Sequence, residues 1–307
     1  MAQQLIGAIE AGGTKFVVAL ARPDGTILAE ARIPTETPAT CFPAMAEFFR
    51  AAAAKHGKIA AFGVASFGPI DIDPASPAYG TFTTTPKPGW SGARFQDALG
   101  EFGAKIVVDT DVNGAALGEW ESGAGRSCTT LAYTTIGTGV GVGVLRDGTS
   151  LMGFSHYEGG HIGVAHDRAA DPYAGFCPFH GDCLEGLAAG PSIRARWGHS
   201  LSDLGSPPDK IALIADYIAQ LAVNLVLLHM PDRMIFGGGV MKTPGLVEAL
   251  RAATERRLAG YIKAPQLDPG LDRYIVTPGL GDEAGITGAI ALGRRALGYA
   301  AAQFLAM

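Results

Sequence analysis

Two stretches of this sequence share one order of strand-like and turn-like segments. The first runs from the apolar segment LIGAIE, beginning at Leu5, through AGGTK to FVVALA and a PDG turn. The second begins at Leu131 and runs from LAYTTI through GTGVG to VGVLRDG. The likeness lies in topology more than in residues, so we interpret it as a weak internal repeat. A chain that builds the same hairpin twice is expected to contain two related domains.

Outside the two hairpins, strand patterns alternate with helix patterns. Further predicted strands cover residues 26–33, 59–65, 105–108 and 233–236. Predicted helices cover residues 42–54, 94–100, 114–121, 184–197, 208–229, 246–258 and 284–296. Residues 73–92 are rich in Pro, Thr and Gly and are predicted to form a long loop, and such loops are often functional. The alternation predicts an α/β protein, and 307 residues suffice for two domains.

The composition excludes several classes of partner. A net charge of -5 argues against a nucleic-acid-binding surface. The longest apolar stretch, residues 211–230, is interrupted by Asp216, Gln220, Asn224 and His229, so we expect a buried or half-buried helix and no membrane partner. No basic region precedes the first strand, so no signal peptide is expected. The cysteine usage fits a reducing cytoplasm better than a disulfide scaffold.

Two glycine-rich turns, one in each hairpin, are candidates for phosphate binding. The first is formed by Gly12, Gly13, Thr14 and Lys15, and the second by Gly137, Thr138 and Gly139. Glycine lets backbone N–H groups approach an anion, and threonine adds a hydroxyl donor. Either turn alone could be an ordinary hairpin, and neither has the spacing of a Walker motif. Their matching positions indicate a pair that grips a polyphosphate.

A third glycine-rich turn follows the strand at 233–236 and consists of Gly237, Gly238 and Gly239. A strand–glycine–helix turn allows a flat ligand or a phosphate to lie against the backbone. The alternative is a tight crossover turn without a ligand.

A carboxylate that follows a buried strand is the candidate general base. Asp111 lies at the start of a predicted helix, close to Asp109 and Asn113. A side chain placed there can accept the proton of a substrate hydroxyl. The alternative role is helix N-capping, and either aspartate could cap the helix while the other faces a cleft.

A cluster of sulfur and imidazole ligands predicts a metal site. Cys177, His180 and Cys183 form a C-x2-H-x2-C pattern, which suits tetrahedral zinc. His156, His161 and His166 compete for the fourth position, and for His166 a surface position is the simpler interpretation. A site with four protein ligands would be structural, since it leaves no open position for water. The carboxylates of Glu158 and Glu185 flank this loop and can accept hydroxyl groups, which points to a polyol ligand.

The motifs, taken together and in this order, resemble the sugar kinases of the ROK family. GAIEAGGTK and YTTIGTGVGVGV are similar to its two phosphate loops, and VVDTDVNGAALGE to its catalytic segment. EGGH is similar to its sugar-binding E-x-G-H motif, DCLEGLAAG to its cysteine–leucine–glutamate segment, and MIFGGGVM to its adenosine-side loop.

This resemblance implies an actin-like ATPase (ribonuclease H-like) fold with two α/β domains that close over ATP and sugar in a cleft. The N-terminal domain would span 1–115 and be completed by the C-terminal helix, 285–307. The second domain, with the zinc loop, would span 116–284. The resemblance also implies Mg2+ with ATP, a structural Zn2+ and a homodimer.

The resemblance also implies roles for individual residues. Asp111 would be the catalytic base, and Glu10 would help to hold Mg2+, through water. His161 would complete the zinc site with one ring nitrogen and touch the sugar with the other. Sugar contacts are implied for the following residues: Gly68, Pro69, Thr110, Asn113, Glu158, His161 and Glu185.

Departures from the common family pattern narrow the expected substrate. Glu10 stands where aspartate is usual, Thr110 where asparagine is usual, and C-x2-H-x2-C replaces three cysteines. These features, with SFGPID, resemble the fructokinase branch, which predicts phosphorylation of fructose at its 6-hydroxyl. The alternatives are a glucokinase, mannokinase or N-acyl-hexosamine kinase. Another class is a sugar-sensing repressor or other non-catalytic sugar sensor. The first strand begins near Leu5, which we expect to leave no room for the repressors' helix-turn-helix domain.

Overall fold

The N-terminal hairpin becomes the centre of a five-stranded mixed sheet. The structure is a computed structural model that describes residues 4–85 and 87–299. Its first sheet has the order β3-β2-β1-β4-β5. The strands are β1 (Leu5–Ala11), β2 (Lys15–Ala21), β3 (Ile27–Pro34), β4 (Ile59–Ser66) and β5 (Lys105–Thr110). Strand β2 is antiparallel to both β1 and β3, whereas β4 and β5 run parallel to β1.

The second hairpin begins a sheet of the same design. Its order is β10-β9-β6-β7-β8. Read in reverse, from β8 to β10, this order matches the first sheet strand for strand, with β6 in the place of β1. The strands are β6 (Thr130–Ile136), β7 (Val140–Arg146), β8 (Thr149–Ser150), β9 (Arg233–Gly237) and β10 (Ile275–Val276). The parallel and antiparallel pairings are also the same. The predicted internal repeat is therefore confirmed as a repeat of topology. Strands β8 and β10 were not predicted, because two residues are too short to show a periodic pattern.

Contacts divide the described chain into two units. The first unit contains the described residues up to Gly123, residues 152–156 and the described residues from Asp282 onward. The second contains residues 124–151 and 157–281. The first unit has the helices α1 (Pro38–His56), α2 (Phe95–Leu99), α3 (Asp111–Ser122) and α8 (Ala284–Ala296). The second has α4 (Leu184–Ala188), α5 (Gly190–Trp197), α6 (Pro208–His229) and α7 (Leu246–Leu258).

The boundary after Gly123 differs from the predicted one, which fell between residues 115 and 116. Helix α3 is continuous through that point and packs closely on α8. A Cβ atom added to Gly118 would lie 2.4 Å from the carbonyl oxygen of Ala284, so the two backbones are in contact. Because the whole of α3 packs there, it belongs to the first unit. Helix α8 also lies in the first unit, and residues 300–307 of the predicted C-terminal segment lie outside the described residues.

The helix predicted at residues 184–197 is two helices. Ala189 is extended, with φ -70° and ψ 159°, and separates α4 from α5. Pro191 lies in the first turn of α5, where its missing N–H costs nothing. Inside a continuous helix it would have removed the hydrogen bond to the residue four positions earlier.

Helix α6 is the one described helix that is long and apolar enough to cross a membrane by length and composition. It lies in the core of the second unit, where 56% of its most apolar window is buried. Its buried side chains include Ile214, Ile218 and Leu221. The burial agrees with the prediction of a half-buried helix over this stretch.

An aromatic cluster forms much of the core of the first unit and holds the loop at 73–92. Trp90 of this loop is fully buried, and its indole N–H donates to the carbonyl of Glu36 at 2.9 Å. Its ring packs against Phe16 and Phe82, with centroids 5.5 and 5.0 Å away. The loop is thereby fixed against the sheet.

Candidate active site and metal centre

Three predicted site segments of the first unit meet at one edge of its sheet. The parallel strands β1, β4 and β5 are neighbours, so their carboxyl ends lie side by side. Ala11 pairs with Ser66, and Ser66 pairs with Thr110. The N–H of Phe67 also donates to the carbonyl of Ala11 at 2.8 Å. The sheet therefore brings together AGGTK, SFGP and DTDVN, which are distant in sequence.

The first glycine turn is accessible and held from behind. Gly13, Thr14 and Lys15 are exposed, while the N–H of Gly12 donates to the carbonyl of Lys15 at 3.0 Å. Thr35 braces the turn, since its hydroxyl donates to the carbonyl of Gly12 at 2.8 Å and its N–H to that of Thr14 at 3.0 Å. A turn with a fixed back and an exposed face suits backbone binding of an anion.

Glu10 and Asp111 form a pair of like charges beside this turn. Burial, and after it the negative charge of Asp111, raise the pKa of Glu10 from 4.5 to about 7, whereas the positive charge of Lys15 acts in the opposite direction. The side chain of Glu10 fills the space beside Gly285, where an added Cβ atom would lie 2.4 Å from the Glu10 carboxyl carbon. Two carboxylates that cannot easily be charged together are suited to a cation, and oxygen ligands are those that Mg2+ prefers.

The hydrogen bonds of the segment from Asp109 to Asn113 show which residue caps α3. Thr110 is the N-cap, because its hydroxyl accepts from the N–H of Asn113 at 3.2 Å. Asp109 accepts from the side chain of Asn113 at 2.7 Å, and Asp111 accepts from the N–H of Val112 at 2.8 Å. The alternative role raised from the sequence, in which Asp109 or Asp111 caps the helix, is therefore taken by Thr110 instead. Thr110 and Asn113 are themselves buried, at 5% and 3% exposure, and serve to order this segment.

Gly68 and Pro69 follow Phe67 and are joined by a cis peptide bond. The N–H of Ile70 donates to Nε2 of His156 at 3.4 Å, and the ring of His156 also lies against Gly68. His156 therefore packs with the first unit and is not part of the cysteine cluster.

The second and third glycine turns lie together in the second unit. They follow the neighbouring parallel strands β6 and β9, so both turns are at the same edge of the sheet. Gly238 has a φ of +90°, and a Cβ atom there would lie 2.4 Å from the carbonyl oxygen of Ile136. The N–H of Gly190 donates to the carbonyl of Gly137 at 2.8 Å, which ties the start of α5 to the second turn. Gly190 was not predicted as part of the site.

His161, Cys177, His180 and Cys183 present their ligand atoms to one point. All four atoms lie within 4.8 Å of one another. Nδ1 of His161 is 3.7 Å from Sγ of Cys177 and 3.6 Å from Sγ of Cys183. Nδ1 of His180 is 3.7 Å from Sγ of Cys177. Tetrahedral zinc, with bonds of about 2.3 Å to sulfur and about 2.0 Å to nitrogen, would place such atoms about 3.5 Å apart. The residues therefore fit a closed zinc site.

The two carboxylates predicted beside this loop have different environments. Oε1 of Glu185 lies 3.9 Å from Nε2 of His161, and Oε2 accepts from the N–H of Val140 at 2.9 Å. Glu158 precedes a short 3-10 turn and is exposed; its carbonyl accepts from the N–H of His161 at 3.0 Å. Gly160 lets this turn pack on β7, since a Cβ atom there would lie 2.1 Å from the carbonyl oxygen of Val140.

His166 is buried, contrary to its interpretation as a surface histidine. Its side chain is 4% exposed. Nδ1 lies 3.0 Å from Oδ2 of Asp182, and Nε2 lies 2.9 Å from the carbonyl of Asp171. Hydrogen bonds from His166 and Arg168 lower the pKa of Asp182. His166 thus supports the residue before Cys183, a role that spacing along the chain does not reveal.

Lys87 is a further residue at the first glycine turn that the sequence analysis did not select. Its ammonium group donates to the carbonyl of Gly13. The available signal was its position in the long loop at 73–92, but a loop contains many polar residues, and only the folded chain shows which one reaches the turn.

Comparison with known proteins gives a consistent result. The ROK family model matches residues 6–296. A fructokinase from Zymomonas mobilis is 42% identical over 94% of this chain and 96% of its own length. A fructokinase from Pediococcus pentosaceus is 40% identical over 95% and 99% of the two chains. The crystal structure of a ROK hexokinase from Thermus thermophilus superimposes with a TM-score of 0.75 at 26% identity, covering 96% and 99% of the two chains.

Proposed function

This chain belongs to the ROK family, and from this premise we propose that it transfers the γ-phosphoryl group of ATP to the 6-hydroxyl of fructose. The observation that carries the proposal is the likeness to fructokinases over almost the whole chain. The actin-like fold, with its two sheets of equal topology, is that of an ATP-dependent sugar kinase. Fructokinase function is favoured over a glucokinase, mannokinase or N-acyl-hexosamine kinase by the same likeness.

Asp111 would act as the general base. Its place at the end of β5, on the edge where the SFGP segment and the first glycine turn also lie, supports this role. As the sugar hydroxyl attacks the γ-phosphorus, a carboxylate oxygen of Asp111 would accept the hydroxyl proton. Thr110 and Asn113 would hold the segment in place, and Gly68 and Pro69 would shape the adjoining sugar contact.

The glycine turns would bind the nucleotide. In the first unit, the backbone N–H of Gly13, with Thr14 and Lys15, would hold phosphate oxygens, and Gly12 would let them approach the backbone closely. In the second unit, the turn at Gly137, Thr138 and Gly139 would do the same, with Gly237–Gly239 against the adenosine. Phosphoryl transfer requires chiefly positioning and charge stabilisation from the protein, and backbone donors contribute to both.

Glu10 would hold the Mg2+ that accompanies ATP, through water, with Asp111 nearby. Bound Mg2+ supplies neutralisation of charge on the phosphate oxygens. The raised pKa of Glu10 supports this assignment, because the carboxylates of Glu10 and Asp111 repel each other and a bound cation would offset that repulsion.

Zinc would order the loop that presents the sugar ligands of the second unit. His161, Cys177, His180 and Cys183 would bind it, which fixes the ring of His161 through Nδ1 and leaves Nε2 toward substrate. Glu158 and Glu185 would accept sugar hydroxyls. The ligand spacing given above supports zinc, and a closed site makes its role structural.

A coupled ADP-release assay with saturating Mg-ATP tests the proposed reaction. We expect kcat/KM to be highest for fructose among fructose, glucose, mannose and N-acetylmannosamine, and NMR of the product to show phosphate on O6. A higher value for glucose would refute the sugar assignment while leaving the kinase intact. Turnover of none of the four sugars would refute the kinase function itself.

A cytoplasmic homodimer would follow from the family resemblance. Leu227, Leu228 and Met230 expose apolar side chains at the end of α6, which pairing of two copies would cover. Light scattering after gel filtration should then give twice the chain mass of 31.7 kDa.

A further inference from the structure

We propose that Lys87 binds the transferring phosphoryl group and stabilises its charge during the reaction. The inference rests on the proposed kinase function and adds a residue to it. Lys87 belongs to none of the glycine turns, and it reaches the site from the loop at 73–92.

The position of the ammonium group carries the inference. Nζ of Lys87 donates to the carbonyl of Gly13 in the first glycine turn, and it lies 5.7 Å from the ring centroid of Phe67. Phe67 belongs to the SFGP segment, so the ammonium charge lies between the turn proposed for phosphate and the segment proposed for sugar. The phosphoryl group must pass from the phosphate turn to the sugar, and a cation between them would stabilise the negative charge that develops during transfer.

The loop holds Lys87 in place from both sides. The N–H of Lys87 donates to the hydroxyl of Thr85 at 3.3 Å, and that hydroxyl donates to the carbonyl of Gly68 at 3.5 Å. On the other side, buried Trp90 anchors the loop through its bond to Glu36. A cation fixed before the reaction stabilises charge without reorganising at the moment of transfer.

Within the described part of the chain, the ammonium group of Lys87 keeps donors that can contact an anion. The Gly13 carbonyl is neutral, so it takes one N–H of the ammonium group and leaves two further donors and the full charge. Glu10 lies beside the first turn, and the charges that act on it are the negative ones of Asp111 and Asp282 and the positive ones of Lys15 and Arg32. Three carboxylates repel an incoming polyphosphate, and a further lysine at the turn counters that repulsion.

Three variants test the proposal: Lys87→Met, Lys87→Arg and, as a matched control, Lys58→Met. Lys58 is an exposed lysine just before β4, at the end of the strand opposite Phe67. For Lys87→Met we expect kcat/KM for ATP to fall about 100-fold to 1000-fold, the usual effect of removing one charge-stabilising donor. Lys87→Arg should recover part of the loss, and Lys58→Met should behave as wild type.

Binding measurements separate this role from a purely structural one. In Lys87→Met, the dissociation constant for adenylyl imidodiphosphate should rise by about tenfold or more, while that for AMP and the melting temperature should stay near wild type. Equal weakening of both nucleotides, or a fall in melting temperature that accounts for the lost activity, would overturn the proposal. Because the binding comparison needs no sugar, it decides on Lys87 even if the wild-type protein phosphorylates no hexose, which would refute the proposed function instead.

Discussion

Glu185 lies with one carboxylate oxygen 3.9 Å from Nε2 of His161, the ring nitrogen that faces away from the two cysteine sulfurs. Its other oxygen accepts from the N–H of Val140, directly after the second glycine turn. One side chain therefore joins the metal loop to the strand that begins at a proposed phosphate turn. The oxygen near His161 is beyond hydrogen-bond distance, so Glu185 acts on that ring as a nearby carboxylate while its direct hydrogen bond is to Val140.

Replacing Cys183 by serine should remove the metal and lower stability together. Serine is a poor ligand for zinc, and the free energy of metal binding contributes directly to the stability of the folded state. Metal analysis of the wild-type protein should give about one zinc per chain. The control is Cys128→Ser, since Cys128 is buried in the same unit but outside the cluster. Full zinc occupancy in Cys183→Ser would show that the ligand set is wrong.

Replacing Asp111 by asparagine should lower kcat by about two to four orders of magnitude, because asparagine keeps the shape but cannot accept the hydroxyl proton. Fructose and ATP should bind with nearly unchanged affinity. Asp109→Asn provides a comparison, since Asp109 accepts from Asn113 and would act only through the order of the segment. Near-normal turnover in Asp111→Asn would remove Asp111 from the mechanism.

The raised pKa of Glu10 predicts a pH dependence of stability in the protein without Mg2+ and nucleotide. The folded state holds this proton up to about pH 7, whereas the unfolded chain releases it near 4.5. Neutral Glu10 therefore contributes stability that is full below pH 4.5 and is lost as the pH rises through about 7. The loss amounts to about 3 kcal/mol, since one pKa unit corresponds to about 1.4 kcal/mol.

Denaturant unfolding in EDTA across this pH range measures the effect. Glu10→Gln cannot ionise, so its free energy of unfolding should lack this decline and exceed the wild-type value increasingly toward pH 7.5. Parallel pH profiles for the two proteins would contradict the burial and charge argument.

Replacing Gly288 by alanine should destabilise the first unit although alanine is the better helix former. A Cβ atom at Gly288 would lie 1.7 Å from the carbonyl oxygen of Gly114, so α3 and α8 would have to separate. We expect a loss of about 1–3 kcal/mol or more in the free energy of unfolding, as for other overpacked contacts. The control Gly100→Ala has no heavy atom within 4 Å of the added Cβ and a helical φ of -60°. It should be neutral or slightly stabilising.

The sequence was sufficient to predict most of the strands, the glycine turns, the order of the motifs and most of the candidate metal ligands. These features are local: the hairpins are set by apolar runs around turns, and the C-x2-H-x2-C spacing brings Cys177, His180 and Cys183 together within one loop. It also determined the family, since the motifs recur in one order along nearly the whole chain.

The contacts between residues far apart in the chain could be seen only in the tertiary structure. Parallel pairing of β1, β4 and β5 brings Glu10 beside Asp111, and the loop that buried Trp90 anchors carries Lys87 to Gly13. In the structure His161, rather than His156 or His166, lies in the cluster with the two cysteines. The N-cap of α3 is Thr110 and not an aspartate. Such contacts depend on sheet order, helix packing and burial, which no spacing along the sequence specifies.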